Sequence, residues 1–272
     1  METFRISWWN VENLFDIEDS PDRIGWLKNE LAKELEGWNE MVLAKKIKQL
    51  ASIIAQLHAG NGPDLLGICE VENQIVLQKL VNELTTVHGK NYQVVHHDTS
   101  DKRGIDVAFL YDPLKFQANQ TFFHVIQKRT ATRDIYQVNF TTTSGKELIV
   151  IGNHWPSRSG GQYESEPYRI MAGETLSYFH ERIIEIKGKD VCILFMGDFN
   201  DEPFNRAITD YALSIPSKQN MLNARERPLI YNLMCRILGE ETGTYYFNNF
   251  PNILDQFMVS KGFYLPAGAI YS

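Results

Sequence analysis

The stretch Val191-Cys192-Ile193-Leu194-Phe195-Met196-Gly197-Asp198-Phe199-Asn200 decides how this chain is read. The apolar run from Val191 to Met196 shows no polar alternation, which predicts a strand buried on both faces. Gly197 breaks the run, and Asp198, Phe199 and Asn200 follow, with Asp201, Glu202 and Pro203 behind them. Side chains alternate along an extended chain, so the carboxylate and the amide two residues apart are expected to point the same way at the strand's end. α/β proteins keep their chemistry at such ends. The plain alternative is an Asx turn leading into a helix begun by Pro203. The rest of the chain has to decide between the two.

Upstream of the stretch a helix is expected over about 167–186. Before it comes a hairpin, 135–141 and 147–152, whose second strand runs into Asn153-His154-Trp155-Pro156. Downstream come one or two short helices and then strands at 245–247 and 253–259. In the first half, residues 4–9 read as a strand and 16–37 as a polar surface excursion with one short helix. Residues 39–58 read as a helix, because Leu43, Ile47, Leu50, Ile54 and Leu57 recur at three- and four-residue spacing. Gly60-Asn61-Gly62-Pro63 ends it. A buried strand at 65–69 terminates in Glu70, a helix follows at 74–87, and strands are expected at 92–96, 107–111 and 122–127. There is no repeat, low-complexity tract or linker, so 1–272 is read as a single domain. Strands mixed with helices and antiparallel hairpins point to two sheets with helices outside them.

Composition narrows the function. The chain has 272 residues, and 34 acidic against 27 basic residues give a net charge of −7. A broad electropositive face for nucleic acid is disfavoured, and a local basic groove stays open. Three cysteines form no disulfide framework. Cys69 and Cys192 lie in strand-like runs and Cys235 in a helix-like one, which suggests buried free thiols in a reducing compartment. No signal-like n-region or h-region opens the chain, and no stretch approaches the roughly 18 to 20 apolar residues of a membrane span. A cytoplasmic protein with no obligate protein partner is expected.

The regularity that matters is where polar residues fall. Asn10, Glu70, Asn153 with His154, Asp198 with Asn200, and Asp255 each stand at or near the end of an apolar run. Gathered at one edge, they would make a hard, oxygen-rich pocket suited to Mg²⁺ or Mn²⁺; no His/Cys cluster has zinc spacing. Each alone could equally be a solvated strand end.

Six motifs then carry a resemblance: Trp-Trp-Asn-Val-Glu-Asn-Leu-Phe-Asp (8–16), Ile-Cys-Glu-Val-Glu-Asn (68–73), Arg-Gly-Ile-Asp-Val-Ala (103–108), Gly-Asn-His-Trp (152–155), Gly-Asp-Phe-Asn (197–200) and Leu-Asp-Gln-Phe-Met-Val-Ser (254–260). In this order they resemble the endonuclease/exonuclease/phosphatase (deoxyribonuclease I-like) superfamily. The resemblance implies a four-layered α/β sandwich, two packed, mixed and mainly antiparallel sheets flanked by helices, with the active site at strand ends on one rim. It implies Glu70 as the main metal carboxylate, with Asn10 helping to place the ion. His154 would hydrogen-bond the scissile phosphate, Asp198 would orient and deprotonate the attacking water, and Asn200 would hold a phosphate oxygen or that water. Asp255 would support the metal or its water shell. Arg103, Arg158 and Asn153 are candidates for the substrate phosphate, with a solvated loop arginine the alternative for Arg158. Asp106 reads as structural.

One part of the pattern departs. Family members close with a Ser-Asp-His strand, whereas Ser260 here is followed by Lys261-Gly262-Phe263-Tyr264 and the chain contains no Asp-His dipeptide. The expectation is a truncated final strand, with loss of that element from the protein as the alternative; in either case catalysis is expected to be impaired and metal binding retained. The activity expected of the family is a divalent-metal-dependent phosphodiester hydrolase, nuclease-like, on nucleic acid. The alternatives are a phosphatase or phosphodiesterase acting on a small phosphoester, and an inactive phosphate-binding module.

Overall fold

The computed structural model describes residues 3–265. They divide into two compact units, one of Phe4–Phe116 with Ala131–Arg133, the other chiefly of Gln117–Thr130 and the chain from Asp134 onward. Each is an α/β assembly around its own mixed sheet.

The amino-terminal unit holds β1 (Ile6–Leu14), α1 (Gly25–Leu31), α2 (Glu40–Gly60), β2 (Leu65–Val71), α3 (Gln74–His88), β3 (Gln93–His96) and β4 (Asp106–Tyr111). Its four strands lie in the order β1-β2-β4-β3, with β1 parallel to β2 and the other pairs antiparallel. Both long helices start as their sequences dictate, on Asn39 and Asn73, whose side chains accept from the backbone N–H groups two and three residues on. The leucine and isoleucine stripe of α2 buries Leu43, Ile47, Leu50 and Ile54 against Leu77, Leu80 and Leu84 of α3 and Ile68 of β2, in one core cluster. The last turn of α2 is broken, with His58 and Ala59 left-handed ahead of Gly60.

The segment expected as a surface excursion is tied down more firmly than its polarity suggests. Leu27, Leu31 and Leu35 are buried with Phe15 and Ile105. Arg23, fully buried, pairs with Glu72 through Nε–Oε1 at 2.6 Å and Nη2–Oε2 at 2.7 Å. Four-residue spacing of the leucines was the signal in the sequence. The surrounding charges masked it, and one of them, Arg23, is neutralised by Glu72 from beyond β2.

The carboxy-terminal unit holds β5 (Phe116–His124, whose first residue belongs to the other unit), β6 (Ile135–Thr142), β7 (Glu147–His154), α4 (Gln162–Lys187), β8 (Cys192–Asp198), β9 (Ser214–Ile215), α5 (Lys218–Asn223), β10 (Ile230–Asn232), β11 (Tyr245–Phe247), β12 (Phe250–Asn252) and β13 (Asp255–Val259). The seven-stranded sheet runs β5-β6-β7-β8-β13-β10-β9, and β11 with β12 forms a separate hairpin. The strand expected at 122–127 starts six residues earlier, at Phe116, and ends three earlier, at His124; its Phe122 and Phe123 are exposed. Helix α4 begins five residues before Pro167, at Gln162, whose carbonyl accepts from Arg169 Nη2 at 2.8 Å. β8 is buried throughout, as its unbroken apolar run requires. No helix among the described residues is long and apolar enough to cross a membrane, and all three cysteines are free thiols.

Candidate active site

In the seven-stranded sheet, register brings three of the expected residues into one row. β7 pairs parallel with β8, setting His154 opposite Asp198, and β8 pairs antiparallel with β13, setting Asp198 opposite Asp255. The row is laced by backbone bonds just past the strand ends: Trp155 N–H donates to the Asp198 carbonyl and Phe199 N–H to the Leu254 carbonyl, both at 2.9 Å. His154 and Asp198 are buried and Asp255 is half-buried. Directly cross-strand side chains stand about 4.5–5.5 Å apart at Cβ. An imidazole and two carboxylates therefore share one recessed rim.

The opening stretch forms the expected buried strand and then an Asx turn. Asp198 Oδ1 accepts the Asn200 N–H at 2.9 Å, which is an Asx turn, and Asn200 takes a left-handed φ of +51°. Pro203 starts no helix; a short π-helical turn comes later, at Ala207–Tyr211. Because Asn200 lies beyond the strand, alternation does not set its direction, and its Nδ2 donates to the Trp155 carbonyl at 3.0 Å. Gly197 is required by the sheet itself: a Cβ there would stand 2.3 Å from the Asn153 carbonyl oxygen.

Asn153 is one residue out of the row and turns inward. Its Nδ2 donates to Ile151 O and Met196 O, and its Oδ1 accepts from Trp155 Nε1 at 3.0 Å. Arg158 is engaged with the loop it adjoins: Nε donates to the Asn200 carbonyl at 2.7 Å and Nη2 to Asn205 Oδ1 at 3.1 Å. Below that loop lies a pair the sequence reading missed. Arg169 Nε meets Asp201 Oδ1 at 2.8 Å with both side chains fully buried. Burial pushes the Asp201 carboxyl up and the Arg169 guanidinium down, each opposed by the other's charge. An arginine on the inner face of a predicted helix, with an aspartate just after the motif, was the available clue.

The four-stranded sheet presents a different rim. Asn10 stands opposite Cys69, and Glu70 follows in a left-handed bulge with φ +65°. The chain after Asn10 is also left-handed, at Glu12 and Asn13, with φ of 53° and 59°. These turns bring Asn13 N–H onto Glu70 Oε2 at 3.1 Å and Glu12 N–H onto Asn10 Oδ1 at 3.0 Å. Arg103 Nη2 lies 3.6 Å from Glu70 Oε1 and donates to Asn13 Oδ1. Lys46 Nζ donates to the Glu12 carbonyl. Burial lowers the pKa of Lys46, and the charges of Glu12 and Glu70 resist that. Lys46 was legible only as a polar-face lysine. The donors at this rim are a carboxylate and carboxamides, the hard oxygen set that suits Mg²⁺ or Mn²⁺. Asp106, read as structural, is buried and accepts from Thr99 N–H and Oγ1.

Two mixed sheets with helices, each with an acidic and amide-rich strand-end rim, define the class: an α/β protein with polar strand-end rims. The sequence matches the Endonuclease/Exonuclease/phosphatase family over residues 5–270, and the chain belongs to that family. No curated protein sequence matches it. Among solved structures it is similar to the human Nocturnin catalytic domain with bound sulfate, at 16% identity and TM-score 0.57, covering 95% of this chain and 83% of that one. It is also similar to D. rerio TDP2 complexed with a single-strand DNA product, at 13% identity and TM-score 0.60, covering 97% and 86%. A third is the Bacteroides thetaiotaomicron mannosyl-6-phosphatase, at 14% identity and TM-score 0.58, covering 95% and 86%. At these identities the likeness establishes the fold. Family membership supports a phosphoester hydrolase.

Proposed function

We propose that the chain is a divalent-metal-dependent phosphodiester hydrolase of nuclease type, in which water attacks phosphorus. The observation that carries the reading is the row His154–Asp198–Asp255, set by strand register within one sheet. In this reading Asp198 accepts the proton of the attacking water. Its second role as acceptor of the Asn200 N–H fixes the carboxylate's rotamer. His154 donates to a phosphate oxygen, and Asn200 is held by Trp155 and Arg158. Asp255 shares the row and orders water beside Asp198. Glu70 and Asn10 would hold Mg²⁺ or Mn²⁺, which when bound supplies Lewis-acid neutralisation of phosphate charge. Arg103, beside Glu70, offers a guanidinium for a phosphate oxygen. Three free thiols support a reducing, cytoplasmic location.

A net charge of −7 favours a second reading, a small phosphoester needing only local cations. One panel separates them: single-stranded DNA, duplex DNA, RNA, sugar phosphates and bis-p-nitrophenyl phosphate, each with Mg²⁺ and with EDTA. Mg²⁺-dependent cleavage of a nucleic acid supports the first reading, and turnover of a monoester alone supports the second. Phosphate binding without turnover of anything would replace both with a binding module.

A further inference from the structure

We infer that His96, Asp98 and Asp106 form a zinc-class metal site that clamps the base of the loop between β3 and β4. One potential ligand atom from each of the three lies within 4.8 Å of the others. His96 ends β3 and Asp106 begins β4, so the two residues bracket the loop 97–105. His96 pairs with Ala108, which places its ring diagonal to Asp106 on the same face of the sheet.

The imidazole gives the independent reason to expect a ligand. The His96 side chain is 3% exposed, and its Nε2 is buried with no hydrogen-bond partner. That nitrogen points at Asp106 Oδ2, 3.6 Å away. A buried ring nitrogen without a hydrogen bond is costly, and a cation between it and a carboxylate removes the cost. Zinc bonds of about 2.0–2.2 Å to nitrogen and oxygen span such a gap at an open coordination angle. Asp106 is already oriented for the role. Its other oxygen, Oδ1, accepts from Thr99 N–H at 3.0 Å and Thr99 Oγ1 at 2.5 Å, the kind of outer contact that aims a metal carboxylate. Asp98 lies nearer the other ring nitrogen, Oδ1 to Nδ1 at 3.9 Å, but its side chain is 77% exposed and free to turn, and a ligand atom of each of the three residues lies within 4.8 Å of the others. One imidazole and two carboxylates leave a fourth position for water and suit Zn²⁺ better than Mg²⁺. No spacing rule in the sequence finds this set, because its members come from neighbouring strands and a loop. The same loop carries Arg103, so an ion here stiffens the segment that places Arg103 beside Glu70. The site does not depend on the hydrolase reading.

The test is Zn²⁺ titration of the EDTA-stripped full chain by calorimetry, in excess Mg²⁺ to occupy oxygen-only sites. One Zn²⁺ per chain is expected. His96→Ala should weaken it by at least about tenfold, Asp98→Asn by a smaller factor, and Glu70→Gln should leave it unchanged. Co²⁺ in place of Zn²⁺ should give visible absorption of a low-coordinate ion that His96→Ala removes. If His96→Ala fails to fold, the exposed Asp98→Asn variant carries the test on its own. No Zn²⁺ binding, or binding that neither variant weakens, overturns the site. Loss in Glu70→Gln alone would assign the ion to the Glu70 rim and overturn it equally.

Discussion

The rim of the seven-stranded sheet and the rim of the four-stranded sheet carry similar residue types but are assembled in different ways. His154, Asp198 and Asp255 are placed by ordinary strand register, each on the last or first residue of a regular strand. Glu70 is placed by a bulge, with left-handed backbone at Glu70, Glu12 and Asn13. Left-handed conformation costs a non-glycine residue roughly 1–2 kcal/mol. Such strain persists where surrounding structure over-determines it. Here the helices α2 and α3 and the buried Arg23–Glu72 pair supply that constraint. One rim is therefore a product of pattern, and the other of local strain held by packing.

The largest expected effect tests the row. Asp198→Asn keeps the size and the Asx acceptor while removing the base, so kcat on a cleaved substrate should fall by about 10²- to 10⁴-fold with KM little changed. Steady-state kinetics with Mg²⁺ and a circular-dichroism check of folding measure it. Unchanged kcat in a folded variant would remove Asp198 from the chemistry.

Next comes the support beneath each rim. Arg169→Met removes the buried partner of Asp201 and leaves it only Arg158 Nη2 at 3.5 Å, so it should cost up to about 3 kcal/mol in urea unfolding, the low end for breaking a buried pair. Arg169→Met combined with Asp201→Leu should recover much of that loss. Arg103→Met removes the half-exposed partner of Glu70 and should cost no more than about 1 kcal/mol. Equal losses at the two arginines would mean that the exposed Arg103 contact supports its rim as firmly as the buried Arg169–Asp201 pair supports the loop after β8.

Acid should loosen the row's unit through His180 on α4. Its ring is wholly buried, packs edge-on against Phe195 of β8, and has no hydrogen bond at either nitrogen. Burial lowers its pKa from 6.5 to about 3. A depressed folded pKa means the unfolded chain binds the proton more readily. The stability is complete above about pH 6.5 and is lost as pH falls toward 3, at about 1.4 kcal/mol per pH unit. His180→Phe should remove that slope, sparing about 2.7 kcal/mol at pH 4.5 relative to pH 7.5 in paired urea titrations. Identical slopes in the two proteins would mean that the ring is solvated in the folded state.

The two rims were also unequally legible. The unbroken apolar run before Gly197, and the hairpin ending in Asn153-His154, announced buried strands whose polar ends obey strand alternation, while the row itself came from the register between strands. Asn200 escaped that rule because the strand had already ended. Glu70 was legible as a polar strand end, but nothing in Ile-Cys-Glu-Val-Glu-Asn signals a left-handed glutamate, since that conformation is imposed by neighbours. Lys46, Arg169 and Asp201 were visible as charges and not as partners. Ion pairs join residues distant in sequence, which periodicity cannot relate. The leucines at 27, 31 and 35 were passed over because charge dominated their segment, though their spacing was helical.

The smallest effect is the most direct probe of how the rims differ. Replacing Glu70 with Ala or with Gly removes the same carboxylate, the Asn13 N–H contact and the Arg103 pair. Comparing the two variants with each other isolates the backbone. At φ +65° alanine pays the left-handed cost and glycine does not, so Glu70→Gly should be more stable than Glu70→Ala by about 1 kcal/mol. At Asp198, the last residue of regular strand β8, the order should reverse. Glycine there loses more backbone freedom on folding, and Asp198→Gly should be less stable than Asp198→Ala by about 0.5–1 kcal/mol. Urea unfolding of the four variants reads both differences within one protein. Opposite signs would establish that Glu70 is held against its backbone preference while Asp198 sits within it. The same sign at both positions would mean that the Glu70 bulge relaxes once its carboxylate is gone, so that the carboxylate's own bonds hold the bulge.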